Sequence, residues 1–363
     1  MISRLMESGV DFVTTDFPFA NRFTIHVLAA VAEYESRLQS ERTQAAMAKL
    51  RVRITAQLIE AETGAHLWAD RFDGALENVF DLQDRITDSV VGIIEPSLRK
   101  SEIERSRRKR PENLDAYDLY LRALPHVTLM TAEGAGIGAR LLDDALTLDP
   151  NYAAAHAHLA WCHETLFVHA GHDEVHRTAG VRHARIAIAS GTDDAAALAL
   201  AAHTIAFLGR DHCAAIAAVG RALSLNASSA TAHLWGAYVH AFSGNSAAAI
   251  AHADRALRLS PFDPLAYVAY LAMGLSAVQE ARYDEAALQF AKGSHANPGH
   301  TSQYFFQAIA LALAGRIEEA RRIVRRGQEL EPSWRFRFLF EIGVVRSIAD
   351  KLAEGARQLG LPE

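Results

Sequence analysis

Ala145-Leu-Thr-Leu-Asp-Pro150, Ala222-Leu-Ser-Leu-Asn-Ala227 and Ala256-Leu-Arg-Leu-Ser-Pro261 are copies of one phrase, and weaker copies end at Pro298 and Pro332. The last four endings, at Ala227, Pro261, Pro298 and Pro332, lie 34, 37 and 34 residues apart. A period of that length marks a chain built from stacked helical hairpins. The stretch from Ala232 to Pro261 displays one unit. An apolar helix carrying Leu234, Trp235, Tyr238, Val239 and Phe242 runs into Gly244-Asn245, a pair that breaks it. A second helix follows with Ala249, Ile250, Ala253, Ala256 and Leu257 at i, i+3, i+4 spacing, and Pro261 stops it. The alanines leave no bulk on one face, so two helices approach closely and the next pair stacks on them.

With that period and those small residues, residues 116–336 resemble a tetratricopeptide (TPR) array, a mainly α solenoid of about six helix pairs. The pairs around Ala116–Pro150 and Tyr152–Ser190 are the least regular. Residues 337–363 read as a capping helix, centred on Phe338–Leu361, covering the exposed end of the stack. The resemblance implies a concave groove lined by the first helix of each pair. By register the groove presents Leu234, Tyr238 and Phe242, then Leu271, Leu275 and Gln279, then Phe305, Ile309 and Leu313. Such a wall suits a protein or peptide partner that offers an extended segment or an amphipathic helix.

The 363 residues are half apolar, and 22 glycines and 10 prolines give an ordinary globular composition. A net charge of −6 argues for neither nucleic acid nor a membrane surface as partner. Cys162 and Cys213 lie far apart inside helical patterns and read as free thiols. No apolar run reaches the roughly 18 residues of a membrane span, and no secretory leader follows Met1, so a cytoplasmic location is expected.

Residues 1–50 differ in kind. Asp11-Phe-Val-Thr14 is a strand-like run, and Asn21 is suited to cap a long helix from Arg22 to about Leu50. Gly9-Val-Asp-Phe-Val13, Ile25-His-Val-Leu-Ala-Ala-Val-Ala-Glu-Tyr-Glu35 and Ser40-Glu-Arg-Thr-Gln-Ala-Ala46 resemble the end of the serine recombinase (resolvase/invertase) catalytic domain. The resemblance implies a dimerisation helix over 22–50, hence possible self-association, and assigns Glu41 and Arg42 to a remnant of the active site. The family's nucleophilic serine and its other arginines have no counterpart here, and Ser36 stands where a helix arginine is expected. A phosphoryl-transfer nucleophile needs several cations converging on the phosphate, which Arg42 alone does not provide.

Residues 51–100 change period. Val52, Ile54, Ala56 and Leu58 alternate with Arg51, Arg53, Thr55 and Gln57, which predicts a half-buried strand. A turn at Glu62-Thr-Gly64, a return strand over Ala65–Phe72 and a helix from about Leu76 to Leu98 follow. Val52-Arg-Ile-Thr-Ala-Gln-Leu-Ile59, Thr63-Gly-Ala-His-Leu-Trp-Ala-Asp-Arg-Phe-Asp73 and Phe80-Asp-Leu-Gln-Asp-Arg-Ile86 resemble the last strands and helix of a TolB-like domain. In a bacterial family of adenylate/guanylate-cyclase-type signalling proteins that domain precedes a TPR array. The likeness continues through Pro111-Glu-Asn-Leu-Asp-Ala-Tyr-Asp-Leu-Tyr-Leu-Arg-Ala-Leu-Pro125 to the closing Ala353-Glu-Gly-Ala-Arg-Gln-Leu-Gly-Leu-Pro-Glu363. The first half of the TolB-like domain and the cyclase domain are not in the sequence. The chain therefore reads as two partial modules joined near Leu50, as a gene fusion would produce, with a basic linker over 101–115.

Little in the array suggests chemistry. His156, His158, His163, His169, His172, His176 and His183 crowd together and read as polar residues of a long inter-helix turn. Trp161 and Trp235 read as core. Gly134-Ala-Gly-Ile-Gly138 lacks the strand and the lysine of a phosphate loop, and the basic run Arg99–Pro111 reads as a solvated helix end. No catalytic set, metal site or cofactor is expected. The sequence thus describes a non-catalytic protein-interaction scaffold resembling the regulatory part of a cyclase-type protein. The alternative is a DNA-binding recombinase relative inactive in strand exchange.

Overall fold

The computed structural model describes residues 51–59, 66–75, 102–103, 106–107, 114–169, 171–261 and 263–363. The recombinase-like strand and helix with Glu41 and Arg42, the turn at Glu62-Thr-Gly64, the helix expected over 76–98 and most of the basic linker lie outside the described residues. The hairpin is present by itself as strands β1 (Arg51–Ile59) and β2 (His66–Ala75), paired in a two-stranded sheet.

Six helix pairs follow, as the period predicts: α1 (Ala116–Val127) with α2 (Ala132–Leu148), α3 (Ala153–His169) with α4 (Glu174–Ala189), α5 (Ala195–Phe207) with α6 (His212–Leu225), α7 (Ala230–Phe242) with α8 (Ser246–Leu259), α9 (Ala266–Gln279) with α10 (Tyr283–Ala296), and α11 (Ser302–Leu313) with α12 (Ile317–Leu330). Each helix packs against its partner, and the second helix of each pair also packs against the first helix of the next. The array is a TPR-type α-solenoid.

The two helices of a pair follow different rules because they sit in different places. α5 is apolar but for His203 and Thr204, and every residue from Ala197 to Phe207 is buried, as befits a helix with neighbours on all sides. α8 buries a single stripe, Ala249, Ala253, Ala256 and Leu259, and α12 buries only Ala320, Val324 and Gly327 among its charges. Gly274 shows why small residues recur: a Cβ there would stand 2.4 Å from the Phe290 ring of the partner helix.

Each pair turns through the left-handed region, at Met130, Gly171-His172, Arg210, Gly244, Ala281 and Gly315. Glycine adopts this conformation without cost, whereas a side chain there costs about 1–2 kcal/mol. Four of the six turns accept that cost.

The chain after α12 departs from expectation. Instead of one helix over Phe338–Leu361 there is a 3₁₀ turn, η1 (Phe336–Phe340), a bent stretch through Gly343, and a helix α13 (Arg346–Gln358). α13 does not stack over α12 as a cap would. It lies on α9 and α11, along the inner side of the array.

Candidate functional site: the inner face of the array

The expected groove residues lie on the inner helices α7, α9 and α11, but most are not open to solvent. Leu234, Tyr238, Phe242, Leu271, Leu275, Phe305 and Ile309 are buried, and Gln279 and Leu313 are half-buried. Part of this burial is first-helix packing: Tyr238 stacks on Phe242 with centroids 4.2 Å apart and takes His203 edge-on. The rest comes from the chain's own C-terminal segment. Phe305 stacks flat against Trp334 at 4.2 Å. The Phe242 carbonyl accepts from the Val345 N–H at 2.9 Å. The Gln279 side chain accepts from the Ser347 hydroxyl at 2.9 Å, and Gly355 seats against the Ile309 carbonyl and the Leu313 side chain. Periodicity could not reveal this occupant, because contacts between residues 68 or 103 apart leave no periodic trace. The one local signal is Gly343, a glycine set inside the apolar run Ile342–Val345.

One cleft, of about 280 Å³, lies beside the N-terminal ends of α5 and α7. Tyr120, Trp161, Leu200, Leu234 and Trp235 form its apolar wall, and Asp194 and Asp263 supply carboxylates. Trp161 meets Trp235 edge-on at 5.5 Å, and its buried Nε1–H has no hydrogen-bond partner. Asp194 is fixed as the N-cap of α5, accepting from the Ala196 and Ala197 N–H groups at 2.9 and 3.0 Å. The two tryptophans are core residues by burial, yet they form one wall of the cleft.

Beneath the inner face lies a buried polar cluster. Glu164 of α3 accepts from His203 Nε2–H at 2.7 Å and from the Thr204 hydroxyl at 3.1 Å, and His203 lies 4.3 Å over the Trp235 ring. A carboxylate at 6% exposure is held there because both oxygens find donors. Burial pushes the neighbouring Tyr238 hydroxyl well above its usual range, aided by the negative charge of Glu164. Burial likewise pushes the Cys162 thiol up to about 12, so that sulfur is inert at neutral pH.

The crowded histidines do not form a long turn. His156, His158, His163 and His169 belong to α3, His176 and His183 to α4, and only His172 occupies the turn. They face each other across the pair because α3 and α4 run side by side. His156 Nε2–H donates to the Pro150 carbonyl at 3.0 Å, so its bare Nδ1 accepts from His183 Nδ1–H at 2.8 Å. His183 Nε2 in turn accepts from Arg182 at 3.0 Å, a consistent chain of neutral tautomers. His163 and His176 pair in the same way at 3.1 Å, as do His233 and His252 at 2.9 Å. Desolvation, reinforced by the neighbouring histidines and, for His163 and His183, by Arg182, holds His163, His183 and His252 down at about 4. Among the described residues no three His, Cys, Asp or Glu side chains converge as a metal ion would require. Among them also no helix is long and apolar enough to cross a membrane.

No protein-family model matches the chain. Over 110 residues, 30% of its length, it is 38% identical to putative adenylate cyclase 3 of Rhizobium meliloti (strain 1021). It covers 19% of that relative, so the chain spans about a fifth of the protein it matches. Among solved structures, the monomeric mutant of IFIT1 with Gppp-AAAA aligns over 94% of this chain and 74% of its own, at 13% identity and a TM-score of 0.52. The APC/C hetero-tetramer Cut9-Hcn1 aligns over 72% of this chain and 48% of its own, at 14% identity and a TM-score of 0.50. At these identities the likeness to both structures is one of fold alone.

Proposed function

We propose that this chain is a non-catalytic scaffold whose inner face grips polypeptide, and that it serves as the regulatory part of a cyclase-type signalling system. The observation that carries the reading is the inner face itself. It holds a polypeptide segment through backbone carbonyls and side chains of α7, α9 and α11. A surface that holds one segment so has the chemistry to hold another. The link to signalling rests on the 38% identity over 110 residues to a putative adenylate cyclase. The expected site of engagement is the open cleft with its tryptophan wall and two carboxylates, which suits an apolar side chain flanked by a cation.

The test places a photo-crosslinking amino acid at Thr231, on the cleft's edge. In cells of the source organism a discrete protein adduct is expected, absent when the probe is moved to exposed Glu329. A nucleic-acid adduct, or a duplex-DNA mobility shift that survives physiological salt, would favour the recombinase reading instead. Cyclic nucleotide made from ATP or GTP by the purified chain would overturn the non-catalytic assignment.

A further inference from the structure

After Trp334 the chain crosses the hollow of the array to the α3–α4 turn and then retraces the array one pair at a time. Phe338 lies against the His172 ring, and the Glu341 carboxylate meets the His172 imidazole. The Glu341 carbonyl accepts from Arg177 at 2.8 Å and from Arg210 at 2.6 Å, so the second and third pairs hold this point together. Gly343 then passes the end of α5 so closely that a Cβ would stand 1.7 Å from the Ala206 carbonyl. Val345 donates to the end of α7 at Phe242. Ser347 and Lys351 engage the end of α9, the lysine donating to the Val278 and Gln279 carbonyls at 3.2 and 2.6 Å. Gly355 reaches α11. Residues 338, 341, 343, 345, 347, 351 and 355 thus meet pairs two to six in order, as a bound peptide would.

We infer that this track is a recognition surface for a segment that bends at a glycine and then runs into a helix, and that the chain's own C-terminal strap is its resident ligand. The occupant that displaces the strap is a partner segment of like chemistry: an aromatic residue, then a carboxylate, then glycine followed by β-branched aliphatics, as in Phe338-Leu-Phe-Glu-Ile-Gly-Val-Val345. The strap buries Phe336, Leu339, Ile342 and Leu352 against the array, as a tightly held ligand would, but its fit is incomplete at one place. A cavity of about 300 Å³ remains between it and the α5–α6 turn, lined by Arg210, Ile342, Val344 and Ala349, where a buried His212 Nδ1 has no partner. The turn residues that hold Glu341 are His172 and Arg210, at φ 63° and 55°, so a glycine is tolerated at either place.

This inference deepens the scaffold reading and rests on it, but its test is separate. A fluorescein-labelled peptide of residues 336–358 is titrated by polarisation into the full chain, the full chain with Gly343→Val, and the latter with His172→Gly and Arg210→Gly added. Gly343→Val expels the strap, so the peptide is expected to bind that chain at least about tenfold more tightly than wild type. The two added glycines are expected to weaken it about tenfold without lowering the melting temperature, since they remove recognition while easing the turns. A peptide with Glu341→Lys is expected not to bind. Equal affinity of wild type and Gly343→Val would overturn the inference. So would loss of array helicity on Gly343→Val, which would make the strap part of the core. A wild-type dimer exchanging straps at micromolar concentration would overturn it in favour of a second copy as occupant. Any of these leaves a Thr231 adduct unaffected, whereas failure of that adduct leaves peptide binding to be read on its own.

Discussion

In pairs two and three the helices α4, α5 and α6 each begin on an aspartate, Asp173, Asp194 and Asp211, whose side chain accepts from the first-turn N–H groups. In pairs five and six the starts at Leu265, Arg282, Thr301 and Arg316 have no side-chain cap. There the first turns of α10 and α12 carry Asp284, Glu285, Glu318 and Glu319, which favour the positive helix end, with Arg282 and Arg316 paired to them on the surface. The interiors differ too. Pairs two and three bury Glu164, His203 and Thr204, whereas in pairs five and six Phe290 meets Phe306 and Phe305 stacks on Trp334. One architecture is therefore closed by directed hydrogen bonds at one end and by rings and surface charge at the other. The buried polar end is costly to leave half-satisfied and responds to pH; the aromatic end responds to lost volume.

The largest effects test the interiors. Glu164→Ala strands His203 and Thr204, and Phe290→Ala empties a buried site; each is expected to cost about 3–5 kcal/mol in urea unfolding. Glu164→Gln keeps an acceptor and is expected to recover part of the loss, while Phe290→Leu recovers most of its own. If Glu164→Ala were silent, the distinction between the two ends would fail.

Acid separates them further. His163 and His183 have folded values of about 4 against an ordinary 6.5, so below pH 6.5 the unfolded chain binds protons that the folded chain refuses. Their contribution is whole above about pH 6.5 and drains away as the pH falls toward 4. Hydrogen exchange at pH 5 is expected to show α3 and α4 losing protection before α10 and α12. His300, also held near 4 by burial, is the exception at the far end, and protection in the turn before α11 should fall with theirs.

Smaller effects test the helix starts. Asp194→Ala is expected to cost about 1 kcal/mol, read from the denaturation midpoint. Arg316→Ala removes only an exposed pair with Asp284 and Glu319, and no measurable shift of the midpoint is expected at physiological salt.

What the sequence reveals of all this divides by range. The six pairs are legible because Ala249, Ala253, Ala256 and their equivalents repeat a local spacing, and the structure buries them. The histidine pairs are less so: His163 and His176 lie 13 apart, His156 and His183 27 apart, and nothing in a single helix says which will face which. Glu164 with His203, and the strap with the helix ends, are invisible to periodicity because partners are set by the superhelical path. The inner helices could be named from register, but not what lies on them. A capping helix is the natural expectation for an array's last segment; Gly343 beside the Ala206 carbonyl is the small feature that steers it inward instead.

One contact reaches further than its size suggests. Tyr267 of α9 donates its hydroxyl to the Met130 sulfur in the first turn, so the fifth pair touches the first. A solenoid whose units meet only their neighbours behaves as a chain of springs, and its stability adds up link by link. Here the chain of springs is fastened back on itself. Removing or inserting one hairpin would not subtract or add a single link; it would pull the clasp apart, and the loss would be felt at both ends of the coil.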